Sequence, residues 1–212
     1  MKGQTLQEWA SATRIFALVF TDIVDSTTLA NELHDAKWIE VLLKHFTQAR
    51  ALMESYDHHE IKIIGDSFMV VFRDVLDALD FVIALQADTG DDRIKIRAGI
   101  HLGSARIIDD DMFVIMVNYT KRVESTENHH GIRLSDVVRN QIKDEGAQRH
   151  FGLGFVELKL AFKGFPERQT IWNVTVPINP FARQRQSILK MLKVPEEPKA
   201  NPVVPRKPES DR

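Results

Sequence analysis

The chain has no cysteine, which excludes disulfide scaffolds, cysteine-ligated metal centres and thiol nucleophiles. It lacks any apolar run near the roughly 18 residues of a membrane-spanning helix. Its start, MKGQTLQEWASATR, has no apolar signal-peptide core. No sign of charge dominates: the net charge of −2 supplies no global field for a nucleic-acid backbone, so no nucleic-acid partner is expected. What is present is 212 residues with 43% hydrophobic and 27% charged side chains. That composition supports one domain with a sizeable core, expected in the cytoplasm with no membrane span.

Proline and charge are unevenly spread. Of eight prolines only Pro166 precedes residue 177, and the segment from Pro177 onward carries eight Lys/Arg against four Asp/Glu. The organisation read from this is an N-terminal extension (1–13), a folded domain (14–176) and a basic, proline-rich, largely disordered tail (177–212). Within the tail, residues 181–193 (FARQRQSILKMLK) have the pattern of a short basic amphipathic helix. It suits packing on the domain, a membrane surface or a partner.

Along the domain, RIFALVFTD (14–22) reads as a buried strand, and a helical stripe follows through Trp38, Val41, Leu42, His45 and Phe46, with Ser26 or Thr27 as its cap. Residues 60–64 and 68–72 read as a hairpin whose Gly65-Asp66-Ser67 turn carries an aspartate at its tip. A helix is expected over 74–87, an alternating strand over 94–102, a turn and half-hairpin over 103–112, and a helix over 116–127. A short strand at 132–134, a helix capped by Ser135, and strands near 154–160 and 169–176 flanking a Lys163-Gly164 turn complete the pattern. The order β-α-β-β-α-β, extended by further elements, predicts an α+β fold with a ferredoxin-like core and an antiparallel sheet.

Asp22 and Asp66 both fall at ends of apolar strands, where side chains converge at a sheet edge, beside turns whose N–H groups can face an anion. Two such carboxylates can hold two divalent cations about 3.5–4 Å apart, an arrangement that acts on phosphate esters. Either aspartate alone reads as a local turn cap.

Five segments in order, VFTDIVDST, IKIIGDSFMVVF, IRAGIHLG, VNYTKR and FKGFPERQTIWNV, resemble the catalytic domain of class III nucleotide cyclases over residues 14–176. The resemblance implies a lyase that converts a nucleoside triphosphate to a 3′,5′-cyclic monophosphate and pyrophosphate. It makes Asp22 and Asp66 the metal-binding aspartates for two cations, Mn²⁺ or Mg²⁺, with the Ile23 carbonyl as a further ligand. The turn from Ile23 through Ser26 and Thr27 would wrap the triphosphate. Lys62 and Asp111 would contact the base, Asn118 the ribose, Arg122 the phosphate under attack, and Lys163 the terminal phosphates. Because the metal ligands and the Asn118/Arg122 pair would come from different subunits, a homodimer with composite active sites is implied.

The sequence departs from the family at several positions. Val114 stands where relatives usually carry glycine, three residues after Asp111; Tyr119, Thr120 and Lys121 replace the usual small residues between the asparagine and the arginine. The added bulk at Val114 reshapes the loop after the base-contacting position. A lysine donor beside a carboxylate suits adenine and cytosine, and with exchanged contacts uracil and guanine. Added bulk favours the single-ring bases. The short flanks likewise resemble the pyrimidine cyclases of bacterial antiphage (Pycsar) systems, which make cyclic CMP or cyclic UMP for a separate effector protein. That reading leads; an adenylate cyclase and a catalytically silent nucleotide-binding regulator stay open beside it. Asp110 is the alternative to Asp111 if the register shifts by one. The His58-His59 and His129-His130 pairs read as solvated loop histidines, and His101 and Trp172 as core or interface.

Overall fold

Strand β1 (Ile15–Ile23) explains the rest of the architecture: it is buried from Phe16 to Thr21 because both of its faces are covered. Alternate side chains serve different layers. Ala17, Val19 and Ile23 join one apolar cluster, Phe16, Leu18 and Phe20 the other. The computed structural model describes residues 5–12, 15–108, 111–113, 115–127, 129–145 and 152–176. The tail from 177, with the helix expected over 181–193, lies outside the described residues, as do Asp109, Asp110 and Val114.

From β1 the chain runs through α2 (Ser26–Met53), β2 (His58–Ile64), β3 (Ser67–Phe72), α3 (Val75–Ala87) and β4 (Ile96–Ser104). There follow a small ribbon, β5 (Arg106–Ile108) with β6 (Asp111–Phe113), then α4 (Ile115–Ser125), β7 (Gly131–Ser135), α5 (Asp136–Glu145), β8 (Gly154–Ala161) and β9 (Arg168–Thr175). Seven strands form one sheet in the order β2-β3-β1-β4-β7-β9-β8, while β5 and β6 pair separately. The expected βαββαβ core is present. The sheet is mixed rather than antiparallel, because β4 and β7 pair in parallel through the α4 crossover.

One face packs Val41, Ala49 and Met53 of α2, most of α3, and Val138 and Ile142 of α5 against the sheet. The other face is covered by α1 (Leu6–Trp9), by Met112 and by Met116. The N-terminal extension therefore contributes to the core. Thr5 and Glu8 close a reciprocal capping box, Leu6 and Trp9 are buried, and the Trp9 indole donates to Asp57 Oδ1 at 2.7 Å. The cap of α2 is Asp25, left-handed at φ 54° and without a side-chain cap bond, so Ser26 and Thr27 lie in the first turn instead of capping it. The helix is interrupted at His34, φ 61°. His58 and His59 are half-buried on β2, where Trp9 and Phe72 pack against them, rather than in a loop. His129 and His130 are exposed. No helix among the described residues is long and apolar enough to cross a membrane.

Helix α4 crosses the sheet at Gly99. A Cβ there would fall 2.6 Å from the Glu124 Cα, so the helix backbone rests directly on β4. Gly99→Ala is expected to destabilise the domain by about 1–3 kcal/mol through overpacking. Gly65→Ala, where the space is open and only φ +65° is unfavourable, should cost about 1 kcal/mol. Urea unfolding of the two variants checks the ranking.

Candidate active site

The face of β1 that carries Phe16, Leu18 and Phe20 continues to Asp22. Directly across the ladder Asp22 meets Arg97 on β4. Arg97 binds it through two guanidinium nitrogens, Nε at 3.0 Å and Nη2. From the other side the Ser67 hydroxyl donates to Asp22 Oδ1, tying the end of β1 to the turn before β3. That turn is tight because Gly65 takes φ +65°. It carries Asp66, half-buried, whose Oδ2 is enclosed and has no hydrogen-bond partner among the described residues.

Above Asp22 lies α4. Its Lys121 ammonium sits 3.9 Å from Asp22 Oδ1 and 2.8 Å from Glu124 Oε2, with the Phe20 ring centroid 5.7 Å away. Glu124 is fully buried, and its second oxygen meets Arg97 Nε at 2.6 Å. Burial raises the Glu124 carboxyl above its ordinary range, against the pull of Lys121 and Arg97. For Arg97, burial alone would lower the guanidinium, but the bonds with Asp22 and the charge of Glu124 outweigh it and hold it above the usual value.

Helix α4 also carries Asn118, exposed, and Arg122, half-buried. Four residues apart, they share one face. Neither side chain makes a hydrogen bond or ion pair among the described residues. Tyr119 anchors the helix to the last hairpin: its ring lies 4.6 Å from His101, 5.4 Å from Phe162 and 5.3 Å from Phe165, and its hydroxyl reaches Gln169 at 3.2 Å. Phe162 and Phe165 bracket the turn bearing exposed Lys163, with Gly164 at φ 87°.

Lys62 on β2 and Asp111 on β6, 49 residues apart, meet in an ion pair at the edge of the second face. Both are partly exposed, with 40% and 28% of their side-chain surfaces accessible, so a ligand can reach between them. The hydrogen bond from Lys62 holds the Asp111 carboxyl below the usual carboxylate range. Its other oxygen accepts from the Met112 N–H at 2.8 Å. Ile23 ends β1 with its side chain buried. Ser26 and Thr27 open α2, where first-turn N–H groups face outward.

The structure thus joins Asp22 to the Asp66 turn and Lys62 to Asp111, and among the described residues Asn118 and Arg122 make no hydrogen bond or ion pair with the aspartates. Sequence reasoning passed over Ser67, Arg97 and Glu124 and took Lys121 only as a departure. A weak signal for Arg97 exists in IKIRAGIHL: Lys95 and Arg97 occupy the polar positions of an alternating strand. Its partner depends on register, which no local pattern states.

Among the described residues no three His, Cys, Asp or Glu side chains cluster as a protein-only metal cage. Two carboxylates with an orphaned buried oxygen nevertheless suit a hard divalent cation that completes its shell with substrate oxygens. The residues fit such an ion.

A mixed α+β sheet crossed by α4, with two aspartates at adjoining strand ends, defines the class as a ferredoxin-like domain of the nucleotide-cyclase type. The chain belongs to the adenylate and guanylate cyclase catalytic domain family, which residues 10–172 match. It is 26% identical over 194 residues to atrial natriuretic peptide receptor 2 of Rattus norvegicus, covering 81% of this chain but 18% of the receptor. The fold is similar to that of adenylate cyclases from Trypanosoma brucei in their monomeric state (TM-score 0.68, 21% identity, 78% and 90% of the two chains). It is also similar to that of the adenylyl cyclase CyaB from P. aeruginosa (TM-score 0.65, 22% identity, 77% and 94%).

His101 supplies a stability test for this region. Burial lowers its pKa from 6.5 to about 4, while Nδ1 lies 2.9 Å from the Ser135 hydroxyl. The unfolded chain takes up this proton first, so stability should hold above pH 6.5 and decline as the pH falls toward 4, by up to about 3 kcal/mol. Denaturant midpoints measured from pH 7 to 4 should show that slope, and His101→Gln should flatten it.

Proposed function

We propose that the chain is a nucleotide cyclase acting on a pyrimidine nucleoside triphosphate, UTP or CTP, to give cyclic UMP or cyclic CMP. The observation that carries the cyclase reading is the match of residues 10–172 to the adenylate and guanylate cyclase catalytic domain, with the end of β1 at Asp22 tied through Ser67 to the turn of Asp66. The ribose 3′-hydroxyl gives up its proton to solvent and its oxygen attacks the α-phosphorus in line; the O3′–P bond forms as the bond to the bridging oxygen breaks, and pyrophosphate leaves. Asp22, Asp66 and the Ile23 carbonyl would hold two divalent cations, Mg²⁺ or Mn²⁺. Bound there, the cations supply Lewis-acid stabilisation of the attacking and departing oxygens. The first-turn N–H groups at Ser26 and Thr27, with the positive end of the α2 dipole, receive the triphosphate. Lys163 holds its terminal phosphates.

Asn118 orients the ribose, and Arg122 stabilises charge on the phosphorane-like centre. Neither side chain makes a hydrogen bond or ion pair among the described residues, which supports a two-fold homodimer in which each site takes the aspartates of one subunit and Asn118 and Arg122 of the other. Lys62 and Asp111 form the base contact. A base edge inserted between them replaces each charge's partner with a hydrogen bond: Lys62 to O4 and Asp111 to N3–H of uracil, or Lys62 to N3 and Asp111 to the 4-amino group of cytosine. The added bulk of Val114, whose position lies outside the described residues, favours the smaller ring. The product would feed a separate effector protein in antiphage defence, in the cytoplasm.

Asp66→Asn and Arg122→Ala should each lower cyclic nucleotide formation by at least about 100-fold while the fold remains. Mixing the two inactive proteins should restore activity, since one site of the heterodimer keeps all wild-type groups. If subunits exchange and no activity returns, the site is not shared. Incubation with equimolar ATP, GTP, CTP and UTP, products identified by mass, decides the base. Cyclic UMP or cyclic CMP is expected in excess, and predominant cyclic AMP would make the protein an adenylate cyclase.

A further inference from the structure

We propose that Lys121 is an internal counter-cation that competes with the divalent ion for Asp22 and thereby sets the metal affinity of the site. The inference rests on the reading of Asp22 as a metal ligand. Asp22 is already engaged: Ser67 donates to Oδ1, Arg97 binds Oδ2, and the Lys121 ammonium lies 3.9 Å from Oδ1. Of the two cations, Arg97 is the fixed one. It stands opposite Asp22 in the β1–β4 ladder, and its guanidinium also meets Glu124 and reaches the Glu127 carbonyl. Lys121 is the movable one. Its side chain is 44% exposed, its strongest contact is Glu124 at 2.8 Å, and no hydrogen bond joins it to Asp22.

Two carboxylates (Asp22 and Glu124) here face two cations (Arg97 and Lys121). A divalent ion entering at Asp22 and Asp66 meets the ammonium at close range in a partly buried setting, where like charges repel far more than in bulk water. It binds fully only as the ammonium swings outward on its flexible stem. Glu124, anchored against Gly99, holds the ammonium close to Asp22. The result is a site whose Asp22 carboxylate is already paired with the chain's own cations, and which binds a divalent ion weakly until a nucleoside triphosphate draws the metal in.

The test is Mn²⁺ titration of nucleotide-free protein at constant ionic strength, reading free Mn²⁺ by electron paramagnetic resonance. Lys121→Gln and Lys121→Ala should bind Mn²⁺ about tenfold more tightly than wild type. Lys121→Arg, which keeps the charge, should stay near the wild-type value. Melting temperatures confirm that each variant is folded, and two neutral variants guard against a folding failure of one. Binding that appears only in the neutral variants also supports the proposal. Unchanged or weaker binding in both neutral variants, or tighter binding in Lys121→Arg as well, overturns it. Asp22→Asn separates this from the underlying reading. If that variant binds Mn²⁺ as wild type does, or if no form binds it, Asp22 is not a ligand and both fall. If it loses binding while Lys121→Gln is neutral, only the counter-cation falls.

Discussion

The close approach of α4 to β4 at Gly99 is the constraint on which the site depends. The helix backbone lies where a side chain would otherwise stand. Only this proximity buries Glu124 completely and brings it within reach of Arg97. A helix lifted by one methyl group would withdraw Glu124 and Lys121 from the sheet and shift Asn118 and Arg122 with them. Sheet, charge cluster and exposed helix face are therefore one mechanical unit, and the small residue in the middle of IKIRAGIHL makes it possible.

Burying Glu124 has an energetic logic of its own. A buried ion pair gains little net stability over apolar packing, whereas removing one partner leaves an uncompensated charge costing about 3–5 kcal/mol. The cluster is thus a poor source of stability and a strong source of specificity in position. It fixes Arg97, and Arg97 fixes the Asp22 carboxylate at the end of β1. Asp66 is treated differently: its neighbour Ser67 is spent on Asp22, and its own Oδ2 is enclosed with no donor among the described residues. It shares that condition with six other buried side-chain atoms, so it is its place on the turn tied to Asp22 that makes it a candidate ligand.

Much of this was legible in the sequence, for local reasons. The apolar run of β1, the hairpin around Gly65-Asp66, the alternation of β4 and the turn at Lys163-Gly164 depend on neighbours in the chain, and each appears within a residue or two of its expected place. The meeting of Lys62 with Asp111 followed from family resemblance rather than from any pattern. What was illegible depends on register and on helix placement. Arg97 is one polar residue among alternating ones until β4 is laid against β1 with Arg97 opposite Asp22. Glu124 reads as an ordinary surface glutamate until α4 is set on Gly99. The capping box that folds Leu6 and Trp9 into the core was present as Thr5 and Glu8, but four residues of helix carry too weak a period to recognise.

Helix α4 presents two chemistries. Lys121 lies near the chain's own Asp22 and pairs with Glu124, three residues on; Asn118 and Arg122, four apart, make no hydrogen bond or ion pair among the described residues. In the proposed homodimer Asn118 and Arg122 complete the partner's site, so one rigid element touches both sites at once. Tyr119 extends that element further, since its ring packs on Phe162 and Phe165 and so links the helix to the turn of Lys163. If Lys121 yields to a metal at Asp22 and Arg122 serves the partner's phosphate, both groups stand on one backbone, and a shift of α4 on metal binding at one site would carry to the arginine serving the other.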